Sequence, residues 1–173
     1  MRLFVAILLS DELKAALTDA RRALRERGVR GRFSPEENLH LTLAFLGEYP
    51  SAGRVLDALQ TMRFAPFSLR LRGLGRFDDL WWAGVEDSAP LNKLAKDVRD
   101  TLERNGIPFD PKDFSPHITL LRKAAGDPPE IPVAPAEMSV RRVTLLRSDP
   151  GPTGMRYTAL GSVPAALPGE GRP

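Results

Sequence analysis

The stretch His40-Leu41-Thr42-Leu43 recurs as His117-Ile118-Thr119-Leu120, and these two segments contain both histidines of the 173-residue chain. In each segment a hydroxyl side chain follows an imidazole by two residues, and apolar side chains fill the alternate positions. Such alternation is typical of a β-strand with one buried face. The pattern therefore predicts two strands, each of which presents a His and a Thr on its polar face.

The segments that precede the two motifs repeat as well. Leu3–Leu9 and Trp81–Val85 resemble buried strands, and each leads through helix-capping residues into a helix with apolar residues at helical spacing. The distance from cap to motif is 30 residues in both copies, from Ser10 to His40 and from Asp87 to His117. We expect an internal duplication of a strand–helix–strand unit, folded as a two-lobed body with pseudo-twofold symmetry.

The remaining segments extend the two copies into one bilobal domain over residues 1–160. A helix is predicted at Ala52–Met62 and a half-buried strand at Phe67–Arg72. A Pro-rich loop follows the second motif, and two more strands are predicted near Ser139–Arg147 and Met155–Leu160. Because the chain from Gly161 to residue 173 is rich in Pro and Gly, we expect it to form a disordered tail.

The composition excludes several classes of site and of protein. There is no cysteine, which excludes disulfides, a thiolate nucleophile and Cys-based metal sites, and is compatible with a reducing cytosol. The apolar run at the N-terminus is too short to span a membrane and leads directly into a helix start. Net charge is only +3, yet 20 of the 25 basic residues are Arg, which suits a phosphate-bearing partner and equally a GC-rich genome.

Two imidazoles and two hydroxyls facing one groove would suit phosphoryl transfer to water. That reaction needs a base for the nucleophile, an acid for the leaving oxygen, and donors for the other phosphate oxygens. For one motif alone, a structural His and a Thr chosen for its β-propensity would explain the pattern equally well. A metal site would need further ligands; Asp110 and Asp113 precede His117, but His40 has no equivalent acids. The doubled arrangement favours the catalytic interpretation and no metal.

The two motifs resemble those of the 2H phosphoesterase superfamily, in particular the bacterial and archaeal RNA 2′,3′-cyclic phosphodiesterases, also called 2′-5′ RNA ligases. The resemblance rests on Asn38–Gly47, on Pro116–Arg122, and on a Gly–Phe element followed by a Trp-Ala-Gly strand at Gly75–Val85. It runs from residue 3 to about residue 160. It implies an α+β fold in which two pseudo-symmetric lobes of antiparallel sheet, with flanking helices, surround a central groove.

The resemblance also implies roles for the site residues. His40 would be the general acid that protonates the leaving 3′-oxygen, and His117 the general base that takes a proton from water. Thr42 and Thr119 would hold the phosphate. Arg122 is a weaker phosphate-binding candidate, because on a regular strand it faces away from His117 and could reach the groove only through a twist or bulge.

The leading hypothesis is metal-independent hydrolysis of RNA 2′,3′-cyclic phosphate ends to 2′-phosphomonoesters, by a cytoplasmic monomer that needs no cofactor. The partner is an RNA or oligonucleotide with a cyclic phosphate end, and no membrane is involved. Two alternatives use the same groove: 2′-5′ ligation of RNA by the reverse reaction, and binding of RNA ends without catalysis. We expect Trp81 or Trp82 to lie in the core, and Phe33, Phe77 and Phe114 to pack against the body of the protein.

Overall fold

The computed structural model describes residues 1–166 and consists of two antiparallel sheets and three helices. The first half comprises, in chain order, β1 (Arg2–Leu8), α1 (Asp11–Glu26), β2 (Arg32–Phe33), β3 (His40–Glu48), α2 (Ala52–Leu59) and β4 (Phe67–Phe77). The second half comprises β5 (Leu80–Val85), α3 (Ala89–Arg104), β6 (Ile118–Arg122), β7 (Glu137–Val140), β8 (Arg142–Gly151) and β9 (Gly154–Pro164).

The strand order of the two sheets shows the duplication. The first sheet runs β3-β1-β8-β9 and the second runs β2-β6-β5-β4-β7. In both, the strand that begins a repeat pairs with the motif strand of that repeat, β1 with β3 and β5 with β6. Apart from the short strand β2, the two orders correspond strand for strand. The predicted α+β fold with two pseudo-symmetric lobes is confirmed.

Helices α1 and α3 both begin at hydroxyl caps, but the cap of α3 is Ser88 and not Asp87, so the distance from cap to motif is 30 residues in the first copy and 29 in the second. The hydroxyl oxygens of Ser10 and Ser88 accept hydrogen bonds from the backbone N–H groups three residues later, which satisfies donors that have no partner in the first helical turn. Both α1 and α3 bury one apolar face. Helix α3 contacts β3 of the first sheet, and α1 contacts β7 of the second. Each helix therefore reaches the sheet of the other repeat, and a single core joins the lobes.

Some predicted boundaries need correction. The predicted helix at Ala52–Met62 ends at Leu59, the strand predicted at Phe67–Arg72 continues to Phe77, and the predicted strand near Ser139–Arg147 is divided between β7 and β8. Along β4, Gly73 and Gly75 interrupt the apolar alternation but not the strand. None of the helices in residues 1–166 is long and apolar enough to cross a membrane.

The prediction of a disordered tail from Gly161 is wrong for residues 161–164. These residues continue β9 and pair with β8, and Val163 is buried. The glycine that suggested disorder is there for close packing, because a Cβ at position 161 would lie 2.8 Å from Cδ1 of Leu56 in α2. Residues 167–173 of the predicted tail lie outside the described residues.

Candidate active site

The two motif histidines are held in the same way. Nδ1 of His40 lies 2.7 Å from the carbonyl oxygen of Asn38, and Nδ1 of His117 lies 2.8 Å from that of Ser115. Because a carbonyl oxygen can only accept a hydrogen bond, Nδ1 carries the hydrogen in both rings. The neutral form of each imidazole therefore keeps its lone pair on Nε2, so either Nε2 can accept a proton and, once protonated, can deliver it.

His40, His117 and Arg122 lie near one another in the structure. Strands β3 and β6, which carry the motifs, contact each other where the two sheets meet. The pKa of His40 is lowered, mainly by burial and in smaller part by the positive charges of His117 and Arg122, against the opposing effect of the hydrogen bond to Asn38. Charges act this way only over about 8–10 Å at ordinary ionic strength, so the three groups are neighbours.

The threonines occupy the positions that strand alternation predicts. Oγ1 of Thr42 lies 3.0 Å from Nε2 of His40, so the hydroxyl donates a hydrogen bond to the neutral ring. Thr119 is half-buried and stands opposite Trp82 in the second sheet, two residues after His117. Each motif thus places its imidazole and its hydroxyl on the face that points away from the core.

A β-bulge in β6 explains the position of Arg122, and β3 has a matching bulge. Trp82 pairs with Thr119, but the preceding Trp81 pairs with Leu121, so Leu120 is an extra residue in β6. Leu120 and Leu121 are both buried, and the alternation is reset after them. Arg122 consequently shares the face of Thr119. The first motif has the same irregularity at the residue equivalent to Leu120, but there the position equivalent to Arg122 is a phenylalanine.

Backbone hydrogen bonds join each motif strand to the loop that precedes the other motif. The N–H of Ser34, before the first motif, donates to the carbonyl of Leu120 at 2.8 Å. The N–H of Asp110, before the second motif, donates to the carbonyl of Phe45 at 2.8 Å. Arg99 of α3 adds a bond from Nε to the carbonyl of Leu43 at 3.2 Å. These bonds fix the separation of the two motif strands.

Aromatic side chains flank each imidazole. The ring of Tyr157 lies edge-on to His40 with centroids 5.3 Å apart, and the ring of Phe77 lies edge-on to His117 at 5.1 Å. Tyr157 comes from the β8–β9 hairpin, which also touches the first motif through a 2.8 Å bond from Asn38 Nδ2 to the carbonyl of Met155. Within residues 1–166, no three His, Cys, Asp or Glu side chains are grouped as a metal site requires.

A comparison with protein families matches residues 7–152 to the model of the 2′-5′ RNA ligase superfamily. The chain belongs to this superfamily. The resemblance seen in the two motifs is thereby confirmed.

Relatives within the superfamily are similar over most of this chain. The RNA 2′,3′-cyclic phosphodiesterase of Thermus thermophilus is 38% identical, over 92% of this chain and 88% of that protein. The protein of the same name from Geobacillus stearothermophilus is 35% identical over 98% of this chain, which spans only 58% of that protein. The crystal structure of Escherichia coli LigT in apo form has a TM-score of 0.83 at 32% identity, covering 96% of this chain and 98% of LigT.

The sequence did not predict the two aromatic side chains that lie beside the histidines. Tyr157 lies far from both motifs in the chain, and no local pattern marks it. Phe77 was expected to pack against the body of the protein, yet it is 43% exposed beside His117. Trp81 is 2% exposed and lies in the core, as strand alternation predicts, while Trp82 lies on the groove side of the sheet.

Proposed function

We propose that this protein hydrolyses RNA 2′,3′-cyclic phosphate ends to 2′-phosphomonoesters without a metal. The observation that carries the proposal is the pair of imidazoles, each fixed through Nδ1 to a carbonyl two residues upstream, with the charge of Arg122 close to His40. Such a pair can take one proton and give another on opposite sides of a phosphate. The names of the Thermus and Geobacillus relatives support the same reaction.

In the proposed reaction, Nε2 of His117 takes a proton from water as the water oxygen attacks phosphorus. The bond between phosphorus and the 3′-oxygen breaks, and His40 gives its proton to that oxygen. Thr42, Thr119 and Arg122 donate hydrogen bonds to the non-bridging oxygens, where negative charge accumulates. The assignment of acid and base rests on the family resemblance, because the two motifs are equivalent by symmetry.

The acid role of His40 requires a protonated ring. In the free protein, burial and the neighbouring positive charges lower the pKa of His40 and favour its neutral form. A bound cyclic phosphate brings a negative charge, which opposes the effect of His117 and Arg122 and stabilises the imidazolium. Substrate binding is therefore expected to load the acid that the reaction needs.

The first experiment is the hydrolysis of a 2′,3′-cyclic nucleotide by His40→Ala and His117→Ala. Each substitution should lower kcat/KM by about 10²–10⁴-fold, because a positioned proton donor or acceptor contributes that much. Circular dichroism should show that both variants remain folded, since both histidines are half-buried at the edge of the core rather than within it. Full activity in either variant would contradict the proposal, and binding without turnover by the wild type would favour an RNA-end-binding module.

An aryl phosphodiester separates the acid from the base. Its leaving group is a weak base and needs no proton, so loss of the general acid should matter little. His40→Ala should therefore retain most of its activity on the aryl substrate, while His117→Ala stays inactive. The reverse pattern would exchange the two roles.

We further propose that the protein acts as a cytoplasmic monomer. Both histidines and Arg122 come from the same chain, so one copy holds the complete set of candidate groups. The absence of cysteine suits a reducing compartment. Light scattering during size-exclusion chromatography would test the monomer, with an expected mass near the 19.1 kDa of one chain.

A further inference from the structure

The short strand β2 places a second arginine next to the candidate active site. In its pairing with β6, Arg32 stands directly opposite Arg122, and Phe33 stands opposite Leu121. Leu121 is buried and Phe33 packs against the core, so the two arginines lie on the other face. Thr119 lies on this face too, because the bulge in β6 puts Arg122 on the same side of the sheet as Thr119. Arg32 therefore extends the positively charged surface beyond Arg122.

The position of β2 is tightly determined. A Cβ at Gly31 would lie 2.8 Å from the carbonyl oxygen of Arg122, so only glycine allows this close approach. On the other side of β2, the N–H of Ser34 binds the carbonyl of Leu120, and the buried guanidinium of Arg21 in α1 donates to the carbonyl of Ser34. The backbone that carries Arg32 is held from both ends.

The charges of this pair are uncompensated. Like charges directly opposite each other on neighbouring strands destabilise a sheet. Arg70, Arg76 and Arg147 each have a carboxylate partner at 2.6–3.0 Å, whereas in the described part of the chain the strand arginines Arg2, Arg72 and Arg142 have none. Among the strand pairings of residues 1–166, only Arg32 and Arg122 put two arginines directly opposite each other. Within residues 1–166, no carboxylate lies within ion-pair distance of Arg32 or Arg122. The arrangement suits an anionic ligand with more than one negative charge.

We propose that Arg32 binds the phosphodiester on the 5′ side of the terminal nucleotide of an RNA strand. The inference rests on the proposed function, which puts the terminal phosphate between His40 and His117 with Arg122 beside it. In this proposal the preceding phosphate of the same strand lies on the side of β2, where Arg32 stands opposite Arg122. Guanidinium groups suit phosphate oxygens, which they can bind through two parallel hydrogen bonds. The preferred substrate class is an oligoribonucleotide, and a mononucleotide lacks the second contact.

Equilibrium binding of two reaction products tests this inference independently of catalysis. One ligand is a nucleoside 2′-monophosphate, and the other is a dinucleotide that ends in the same 2′-phosphate. The wild type should bind the dinucleotide about tenfold more tightly or better, as one charge-assisted contact contributes. Arg32→Gln should remove most of this preference. It should also reduce the salt slope of dinucleotide binding by about 0.7, the value for one phosphate contact on a single strand.

Two control variants make the result specific. Arg32→Lys keeps the charge but loses the paired hydrogen bonds of the guanidinium, so it should keep only part of the preference. Arg63→Gln makes the same change of charge as Arg32→Gln in the loop between α2 and β4 and should leave the preference intact. Arg32→Gln should not lower the Tm, because it relieves repulsion from Arg122. An unchanged preference in Arg32→Gln, or absence of any preference in the wild type, would overturn the inference. Hydrolysis of a cyclic mononucleotide by the wild type tests the proposed function separately.

Discussion

Gly75 supports the second histidine through a chain of aromatic contacts, and replacing it with alanine should damage stability and activity together. A Cβ at this position would lie 2.3 Å from Cη2 and Cζ2 of Trp82, where ordinary contacts begin at 3.4 Å. The indole must therefore move by about 1 Å. Its neighbour Phe77 lies 5.3 Å away between ring centroids, and Phe77 in turn lies 5.1 Å from the ring of His117.

The expected size of the effect follows from this geometry. Overpacking of this kind costs about 1–3 kcal/mol, and each kcal/mol lowers Tm by about 2–4 °C for a chain of this length. If the indole pushes Phe77, the ring of His117 shifts, and a misplacement of about 1 Å can cost up to about 10²-fold in rate. Thermal unfolding and kcat/KM on a 2′,3′-cyclic nucleotide would measure the two effects on the same sample of Gly75→Ala.

A matched control and a rescue make this prediction specific. Gly53 lies in α2 and a Cβ there would meet no atom within 4 Å, so Gly53→Ala should raise stability, by up to about 1 kcal/mol, with no loss of activity. In the Gly75→Ala background, Trp82→Phe makes room for the added methyl group and should restore part of the Tm. If Gly75→Ala alone leaves both Tm and kcat/KM unchanged, the proposed support of His117 through Trp82 and Phe77 is wrong.

Three further outcomes are expected. Arg122→Gln should raise the pKa of His40, because the charge of Arg122 opposes protonation of that ring; NMR titration of the imidazole measures this, and a lower pKa would contradict the groove geometry. EDTA should leave hydrolysis of a cyclic nucleotide intact, and strong inhibition that Zn²⁺ or Mg²⁺ reverses would instead indicate a metal-dependent reaction. Val163→Ala should lower stability by about 1–3 kcal/mol, because this buried side chain belongs to β9, whereas a disordered tail would tolerate the change.

The two motifs and their surroundings were predictable because each inference used a short-range regularity. A period of two residues placed His40 with Thr42, and His117 with Thr119. The near-equal spacing between helix cap and motif, 30 residues from Ser10 to His40 and 29 from Ser88 to His117, indicated the duplication. The hydroxyl caps at the starts of α1 and α3 follow from the need of the first helical turn for acceptors. None of these inferences requires knowledge of how distant segments meet.

The position of Arg122 required knowledge of the pairing. On a regular strand the side chain of Arg122 would point away from His117, but the bulge at Leu120 returns it to the face of His117 and Thr119. The sequence does contain a signal for the bulge, because two apolar residues stand side by side where each motif ends, Leu43-Ala44 and Leu120-Leu121. A strand with one buried face does not present such neighbours unless its alternation breaks. The contact of Tyr157 with His40 has no comparable signal in the sequence, since it depends on how the β8–β9 hairpin, which follows both motifs in the chain, packs against the first motif.

Near-identical motifs in a pseudo-symmetric fold would produce two imidazoles in equal surroundings, yet the Nδ1 hydrogen bond of His40 is part-buried and that of His117 is exposed. The difference has to come from residues that break the symmetry. The fifth residue after His117 is Arg122, whereas the fifth after His40 is Phe45, which belongs to an apolar cluster with Phe4 on that side of the first sheet. The positive charge therefore comes from one repeat only, and His40 responds to it in a more buried environment. An arginine at the position that the bulge turns toward the imidazoles therefore helps to lower the pKa of His40 in the free protein, and the negative charge of a bound phosphate is what restores the protonated ring that the acid role requires.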